Sequence, residues 1–257
     1  MMDDIKTNIV RSLDGEDVEL YDHLPYLLQD LQEIGASAED ILRLIRKQNL
    51  DHMPMKVLDL GCGKGAVSIA LAKDFGFYIH GIDAMESFIS DAKTQANQHA
   101  LEEKCHFEVG DIRECVRVLK GFDMVVLGSI GPVFGNVELT LSIISGCIRP
   151  GGYVVLDDGY TNDHWLQVDK GYLSQYDILK QIYSSQFVIL EEYKKRKEFI
   201  QESDAYIFSR IKMRANELIR KFPDKKELFE KYLQLQKEEN KNLENKITCI
   251  TWLLQQS

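Results

Sequence analysis

The middle of the chain alternates short, unbroken apolar runs with stretches whose apolar residues recur every three or four positions. Five runs stand out: MKVLDL at 55–60, FYIHGID at 77–83, CHFEVGD at 105–111, FDMVVLG at 122–128 and YVVLDD at 153–158. Runs of this kind, without polar alternation, suit strands covered on both faces. Helices are expected just after Gly65, from about Glu86 to His99, and over 136–148. Arg149-Pro150-Gly151-Gly152 should end the last of these and turn the chain into the fifth strand. Strands alternating with helices predict an α/β protein with a parallel sheet.

Further on, the pattern predicts a helix near 172–184, a strand FVILEEY at 187–193, and two charged amphipathic helices at about 203–221 and 224–244. A last strand, ITCITWLL, follows at 247–254. Asp224 and Glu227 have capping-box spacing, which marks the start of the second charged helix. The first 50 residues read as helices, with LPYLLQDL and ILRLIRK as apolar stripes. No internal repeat or linker divides the sequence. The expectation is one domain: a helical arm at 1–50, a cofactor-binding core at 51–193, a helical insertion at 194–246 and a last strand at 247–257.

Composition narrows the function. At 257 residues the chain can bury a core without disulfides or metals. No apolar run reaches the ~18–20 residues that span a bilayer, and MMDDIKTNIV lacks the basic and apolar blocks of a signal peptide. The five cysteines are far apart, without metal-ligand spacing, so free thiols in a reducing, cytoplasmic setting and no metal site are expected. No membrane partner is expected, and the net charge of −10 argues against duplex nucleic acid. That charge is uneven: residues 1–190 carry −13 and residues 191–257 carry +3. The Lys194-Lys195-Arg196-Lys197 run and the helices behind it read as a solvated face, or else as a lid or partner surface with Phe222, Leu228, Phe229 and Tyr232 beneath.

The chemistry concentrates at the end of the first strand. Gly61, Gly63 and Gly65 occupy a tight strand-to-helix turn, where glycine permits unusual dihedrals and close approach of a ligand. Gly61-Cys62-Gly63-Lys64-Gly65-Ala66 also satisfies the dinucleotide pattern G-x-G-x-x-G/A, a weak signal alone. Asp59 discriminates, because a carboxylate two residues before the first glycine would repel a pyrophosphate. S-adenosylmethionine has no phosphate and carries an ammonium and a sulfonium, so a carboxylate there suits it, while its own carboxylate meets helix-opening N–H groups. Cys62 reads as a small turn residue.

VLDLGCGKG resembles motif I of the class I S-adenosylmethionine-dependent methyltransferases, an acidic residue followed by x-G-x-G-x-G. Over residues 55–160 the resemblance implies roles at several strand ends. Asp83, with Ala84 beside it, resembles the acidic residue that accepts from both ribose hydroxyls. Asp111-Ile112 resembles the pair at the adenine, and Gly128 with Ser129 matches the segment beneath the methionine part. The fold implied is a Rossmann-like, seven-stranded, mostly parallel sheet with an antiparallel last strand and helices on both faces. The cofactor implied is S-adenosylmethionine, and the partner a small-molecule acceptor, as in the quinone-biosynthesis methyltransferases.

Methyl transfer from a sulfonium is an in-line displacement that needs alignment, plus a base only where the acceptor must lose a proton. The family builds its acceptor pocket after strands 4 and 5 and in the N-terminal arm. That implies Asp157, Asp158 and His164 as catalytic candidates, and Tyr21, His23, Ser129 and Tyr160 as substrate contacts. GSIGPVFG lacks the signatures of enzymes that methylate nucleic-acid bases, and strand 4 ends in Gly128-Ser129, with no acidic partner there for a magnesium site. Two rivals stay open: an NAD-linked oxidoreductase, which Asp59 disfavours, and a non-catalytic S-adenosylmethionine-binding protein. An RNA methyltransferase guided by the basic insertion is a weaker one. The sequence names neither the acceptor nor the oligomeric state.

Overall fold

The computed structural model describes residues 2–161 and 172–257. Seven strands form one sheet: β1 (Lys56–Leu60), β2 (Tyr78–Asp83), β3 (Cys105–Val109), β4 (Phe122–Gly128), β5 (Ile148–Thr161), β6 (Phe187–Lys194) and β7 (Ile247–Gln256). Their order is β3-β2-β1-β4-β5-β7-β6. β3, β2, β1, β4 and β5 pair in parallel, and β7 pairs antiparallel with β6. From β1 the chain winds outward through β2 and β3, then returns to wind the other way through β4 and β5. That reversal opens a crevice at the carboxyl ends of β1 and β4, where α/β sheets bind ligands.

The helices are α1 (Met2–Ser12), α2 (Leu24–Leu27), α3 (Ala38–Lys47), α4 (Ala66–Phe75), α5 (Glu86–Gln98), α6 (Ile112–Cys115), α7 (Val137–Ser145), α8 (Gln175–Ser184), α9 (Lys197–Lys221) and α10 (Lys226–Asn245). Strand residues alternate between two cores. On one face Val57, Ile79 and Phe107 pack with Ile41 and Ile45 of α3, Ile69 and Leu71 of α4, and Ile89 and Ala92 of α5. On the other, Leu58, Leu60, Val125 and Val154 pack with Ile112 of α6, Leu141 and Ile144 of α7, and Ile178 and Ile182 of α8. Both faces are covered, as the unbroken apolar runs require. Among the described residues no helix is long and apolar enough to cross a membrane.

The chain divides into two compact units. One comprises residues 33–160, 173–194 and 249–257 and holds the body of the sheet. The other comprises residues 1–32, 161–172 and 195–248. In the latter, α9 and α10 pack on each other, and Ile211, Ala215 and Leu218 of α9 and Phe229 and Tyr232 of α10 are buried. Arg214 makes a two-pronged contact with Asp30, at 2.6 Å (Nε) and 2.7 Å (Nη2). Thus only part of the first 50 residues groups with the helical insertion; α3 belongs to the sheet unit.

Three local expectations are revised. Asp224 lies in a short 3-10 turn (Pro223–Lys225), and α10 begins after Lys225 with no side-chain cap, so the capping box does not form. LPYLLQDL supplies only the four-residue α2, with Pro25 in its first turn. β5 starts at Ile148, ahead of the expected Pro-Gly stop. Arg149–Gly152 form an excursion between the pairs Phe122↔Ile148 and Met124↔Tyr153, with Gly151 at φ +75° and Arg149 bound to Asp123 at 2.8 Å.

Gly81 of β2 pairs with Phe107 of β3, and a Cβ built on it would lie 2.6 Å from the Phe107 ring and 3.1 Å from Cys62 Sγ. We expect Gly81→Ala to cost about 1–3 kcal/mol, the usual range for overpacking a filled core. Urea unfolding measures this, and an unchanged midpoint would contradict the packing described.

Candidate functional site

The turn after β1 hangs from the end of β2: the N–H groups of Gly61 and Cys62 both donate to the Ile82 carbonyl, at 2.8 and 3.0 Å. Gly61, Gly63 and Gly65 all have positive φ, +73°, +52° and +79°, a region costly for other residues. A side chain on Gly61 would collide with Ile130, and one on Gly65 would press on Ala92 and Phe107. Gly63 differs, since a Cβ there would meet nothing within 4 Å. The turn therefore presents bare backbone to open space at Gly63.

Two carboxylates, Asp59 and Asp83, flank this turn, and a third, Asp111, stands just beyond β3. Asp59 points into the sheet's α4 side and is almost wholly buried; Ser68 Oγ of α4 donates to its Oδ2 at 2.6 Å. Asp83 is half-buried and accepts from Gly63 N–H at 2.9 Å and Met85 N–H at 2.8 Å, one on each oxygen. Each carboxylate oxygen keeps a lone pair for a further donor. Asp111 caps α6 through the Arg113 N–H and is gripped by the Arg113 guanidinium at 2.8–3.0 Å. That ion pair holds Asp111 below the usual carboxylate range, whereas burial holds Asp83 above it.

Asp59 is pushed up to about 6: burial raises it most, the Ser68 hydrogen bond pulls it down, and the nearby Asp83 adds a smaller rise. Cys62 is buried, and burial pushes its thiol well above the ordinary cysteine value. A thiol so held is no nucleophile. Lys64 turns inward, 3.4 Å from Asp91 and over the Phe88 ring. Ala84 follows Asp83 half-buried, and Ile112 is buried in the core beside Asp111.

A second cluster closes the ends of β4 and β5. Ser129 has φ +59°, uncommon for a residue with a side chain. Its Oγ donates to Asp157 Oδ2 at 2.6 Å, and its N–H donates to the Asp157 carbonyl. Thr251 of β7 donates to Asp157 Oδ1. Asp157 thus ties β4, β5 and β7 together. Gly35 and Ala36 lie against this corner: a Cβ on Gly35 would stand 3.1 Å from Ser129 Cβ, and one on Gly128 would stand 3.1 Å from Ala36. Asp158, one residue on, faces the opposite side of the sheet. It accepts the Gly159 N–H at 2.7 Å and is pushed up to about 6 by burial, with Asp157 adding to the rise against the Gly159 bond. Tyr160, on the same side as Asp158, is buried against Trp252 with ring centroids 6.3 Å apart.

The structure places Asp59, Gly61, Gly63, Gly65 and Asp83 around one turn, with Ser129 and Asp157 joined at the next strand end. Tyr21 and His23 belong to the helical unit. There Lys6 lies over the Tyr21 ring, and His23 packs against Phe222 and Phe229 with Lys225 Nζ 3.3 Å from its Nε2. Burial, then Lys225, lowers the His23 pKa. His164 lies outside the described residues. Ser68, Thr251 and the Gly35-Ala36 pair are site residues that no local motif marks: Ser68 reaches Asp59 from the helix after the turn, and the others act across long sequence gaps.

A family profile described as a methyltransferase domain matches residues 51–204. The ubiquinone biosynthesis O-methyltransferase of Rickettsia felis is 29% identical over 118 residues, 46% of this chain and 47% of that protein. The enzyme of the same name from Coxiella burnetii is 32% identical over 96 residues, 37% of this chain and 40% of that protein. The chain therefore spans less than half the length of these curated relatives. A crystal structure of an S-adenosylmethionine-dependent methyltransferase from Geobacter sulfurreducens, in complex with S-adenosylhomocysteine, superposes with a TM-score of 0.76. It is 16% identical and covers 91% of this chain and 97% of its own.

Asp59 binds its proton more tightly folded than unfolded, so it stabilises the fold fully below about pH 4 and progressively less as pH rises through 6. Replacing it by Asn, which can still accept from Ser68, should remove that dependence. The stability of wild type relative to Asp59→Asn is expected to fall by about 1–1.5 kcal/mol between pH 5 and 7.5, out of about 3 in all. Urea unfolding at the two pH values measures it; a difference that does not move with pH would contradict the assignment.

Proposed function

The chain belongs to the methyltransferase-domain family, and from that membership we propose that it transfers the methyl group of S-adenosylmethionine to an oxygen of a small acceptor. The observation that carries the reading is the bare Gly63 turn flanked by Asp59 and Asp83. The partners that these two carboxylates have are a hydroxyl and backbone N–H groups. A cationic ligand without phosphate fits that arrangement. A dinucleotide does not, because its pyrophosphate would lie beside two carboxylates, one buried and one half-buried.

Bound there, S-adenosylmethionine supplies an electrophilic methyl on a sulfonium, with a neutral thioether as leaving group. The rest falls to this chain's own residues. Gly63 admits the ligand against the backbone. Asp83 holds the turn through Gly63 and has lone pairs left for ribose hydroxyls. Asp59 offers its charge to the ammonium. Asp111 caps α6 at the end of β3, where an adenine is expected, and Gly128-Ser129, fixed by Asp157, floors the methionine end.

Asp158 is the base of this reading. A carboxylate raised to about 6 is a better proton acceptor than an ordinary one, yet it is mostly ionised at neutral pH. A hydroxyl acceptor, which must lose its proton as the methyl arrives, is the kind of substrate that needs it. The O-methyltransferase names of the relatives support the same atom class. Tyr160 lines the same side, and the five free cysteines favour a cytoplasmic setting.

Two measurements test the proposal. Equilibrium dialysis with labelled S-adenosylmethionine should show binding that Gly63→Val abolishes and Asp83→Ala weakens by roughly 1–3 kcal/mol. Equal binding by folded Gly63→Val would remove the turn from the site. With a panel of catechols and hydroquinones, transfer should rise through pH 6 and drop about 10²–10⁴-fold in Asp158→Asn while donor affinity holds. Transfer unchanged in that variant would place the base elsewhere.

A further inference from the structure

The sheet unit carries a second cluster of chemically able side chains that methyl transfer does not use. His80 sits in the middle of β2, and His106 and Glu108 sit on the neighbouring edge strand β3. His80 and His106 are register partners in a parallel pair, so both rings emerge on one face, 5.2 Å apart between centroids and edge to face. Glu108, two residues along, returns to that face.

We propose that His80, His106 and Glu108 form a divalent-metal site, with zinc as the ion that suits them. Two imidazoles and a carboxylate are zinc ligands, and zinc bonds of 2.0–2.2 Å put tetrahedral ligand atoms about 3.3 Å apart. Glu108 Oε1 lies 3.0 Å from His80 Nε2, and Glu108 Oε2 lies 3.8 Å from His106 Nε2. One ligand atom from each of the three residues falls within 4.8 Å of the others. Among the described residues this is the one such group of three.

The state of His80 is the second observation. Its Nε2 is closed off from water and makes no hydrogen bond, although Glu108 stands 3.0 Å away; the contact is out of line. A buried ring nitrogen in that position costs free energy until something satisfies it. An ion between the two rings and the carboxylate satisfies it without moving a strand. The Phe122 ring, 6.1 Å from that of His80, closes the inner side. The His106 side chain is 72% exposed and that of Glu108 is 42% exposed, which leaves an entry path and room for water as fourth ligand.

The position assigns a role. His80 precedes Asp83 by three residues, about 10 Å along a strand, so the ion would stand apart from the donor turn. It would clamp edge strand β3 to β2 and raise the stability of the fold by binding the folded chain alone.

Tag-free protein titrated with zinc against a chromophoric chelator tests the site. We expect one zinc per chain, affinity at least tenfold weaker in His106→Ala and in Glu108→Gln, and a zinc-dependent rise in thermal midpoint that both variants lose. His106 is exposed, so its variant should fold. Cobalt in place of zinc should give visible bands without a thiolate charge-transfer band. No zinc retained by wild type, equal retention by His106→Ala, or a thiolate band would overturn the proposal.

Discussion

The site depends on a burial of negative charge. Asp59, Asp83, Asp157 and Asp158 sit toward the carboxyl ends of strands, where Asp59 and Asp157 are buried and Asp83 and Asp158 half-buried. Hydroxyls and backbone N–H groups hold them. Neutral donors orient a carboxylate but do not cancel its charge, so burial wins at Asp59 and Asp158 and lifts both to about 6. An arrangement of this kind is costly for an empty fold and favourable for a cation. The donor proposed here carries that cation, and the exchange of a proton for an ammonium links its binding to pH.

Neighbouring carboxylates take different parts because a strand alternates its faces. Asp157 turns toward Ser129 and Thr251 and becomes a brace between three strands. Asp158 turns to the other core and accepts the Gly159 N–H. The same logic separates Asp59 from Asp111. Asp59 meets Ser68 inside the sheet, whereas Asp111 leaves the sheet, caps a helix and is neutralised by Arg113. Residue type and sequence spacing did not distinguish these pairs; the pleat and the local donors do.

What the sequence conveyed was local. The apolar runs located the strands within two residues or so at most ends, because both faces of the sheet are covered and each run had to be unbroken. The glycine turn was readable because positive φ at three alternate positions admits few residues other than glycine. Contacts across the fold were not readable. Ser68 reaches Asp59 from the next helix, Thr251 reaches Asp157 from the last strand, and Gly35-Ala36 lie against Gly128-Ser129, with nothing in their neighbourhoods to announce it. Local rules also failed where a tertiary or chain constraint prevailed: the 3-10 turn Pro223–Lys225 displaced the expected cap, and β5 runs through a Pro-Gly sequence, beside which Arg149 pairs with Asp123.

If Asp59 and Asp83 hold a cationic, phosphate-free donor, its binding should be linked to the ionisation of Asp59. Calorimetric titration of S-adenosylmethionine into the wild-type chain at pH 6, in two buffers of different ionisation enthalpy, tests it most directly. One site per chain is expected, with a net release of protons to the buffer, as the ammonium favours ionised Asp59. A folded protein that takes up no donor at millimolar concentration, or that binds it with proton uptake, would rule out these carboxylates as the donor's holders.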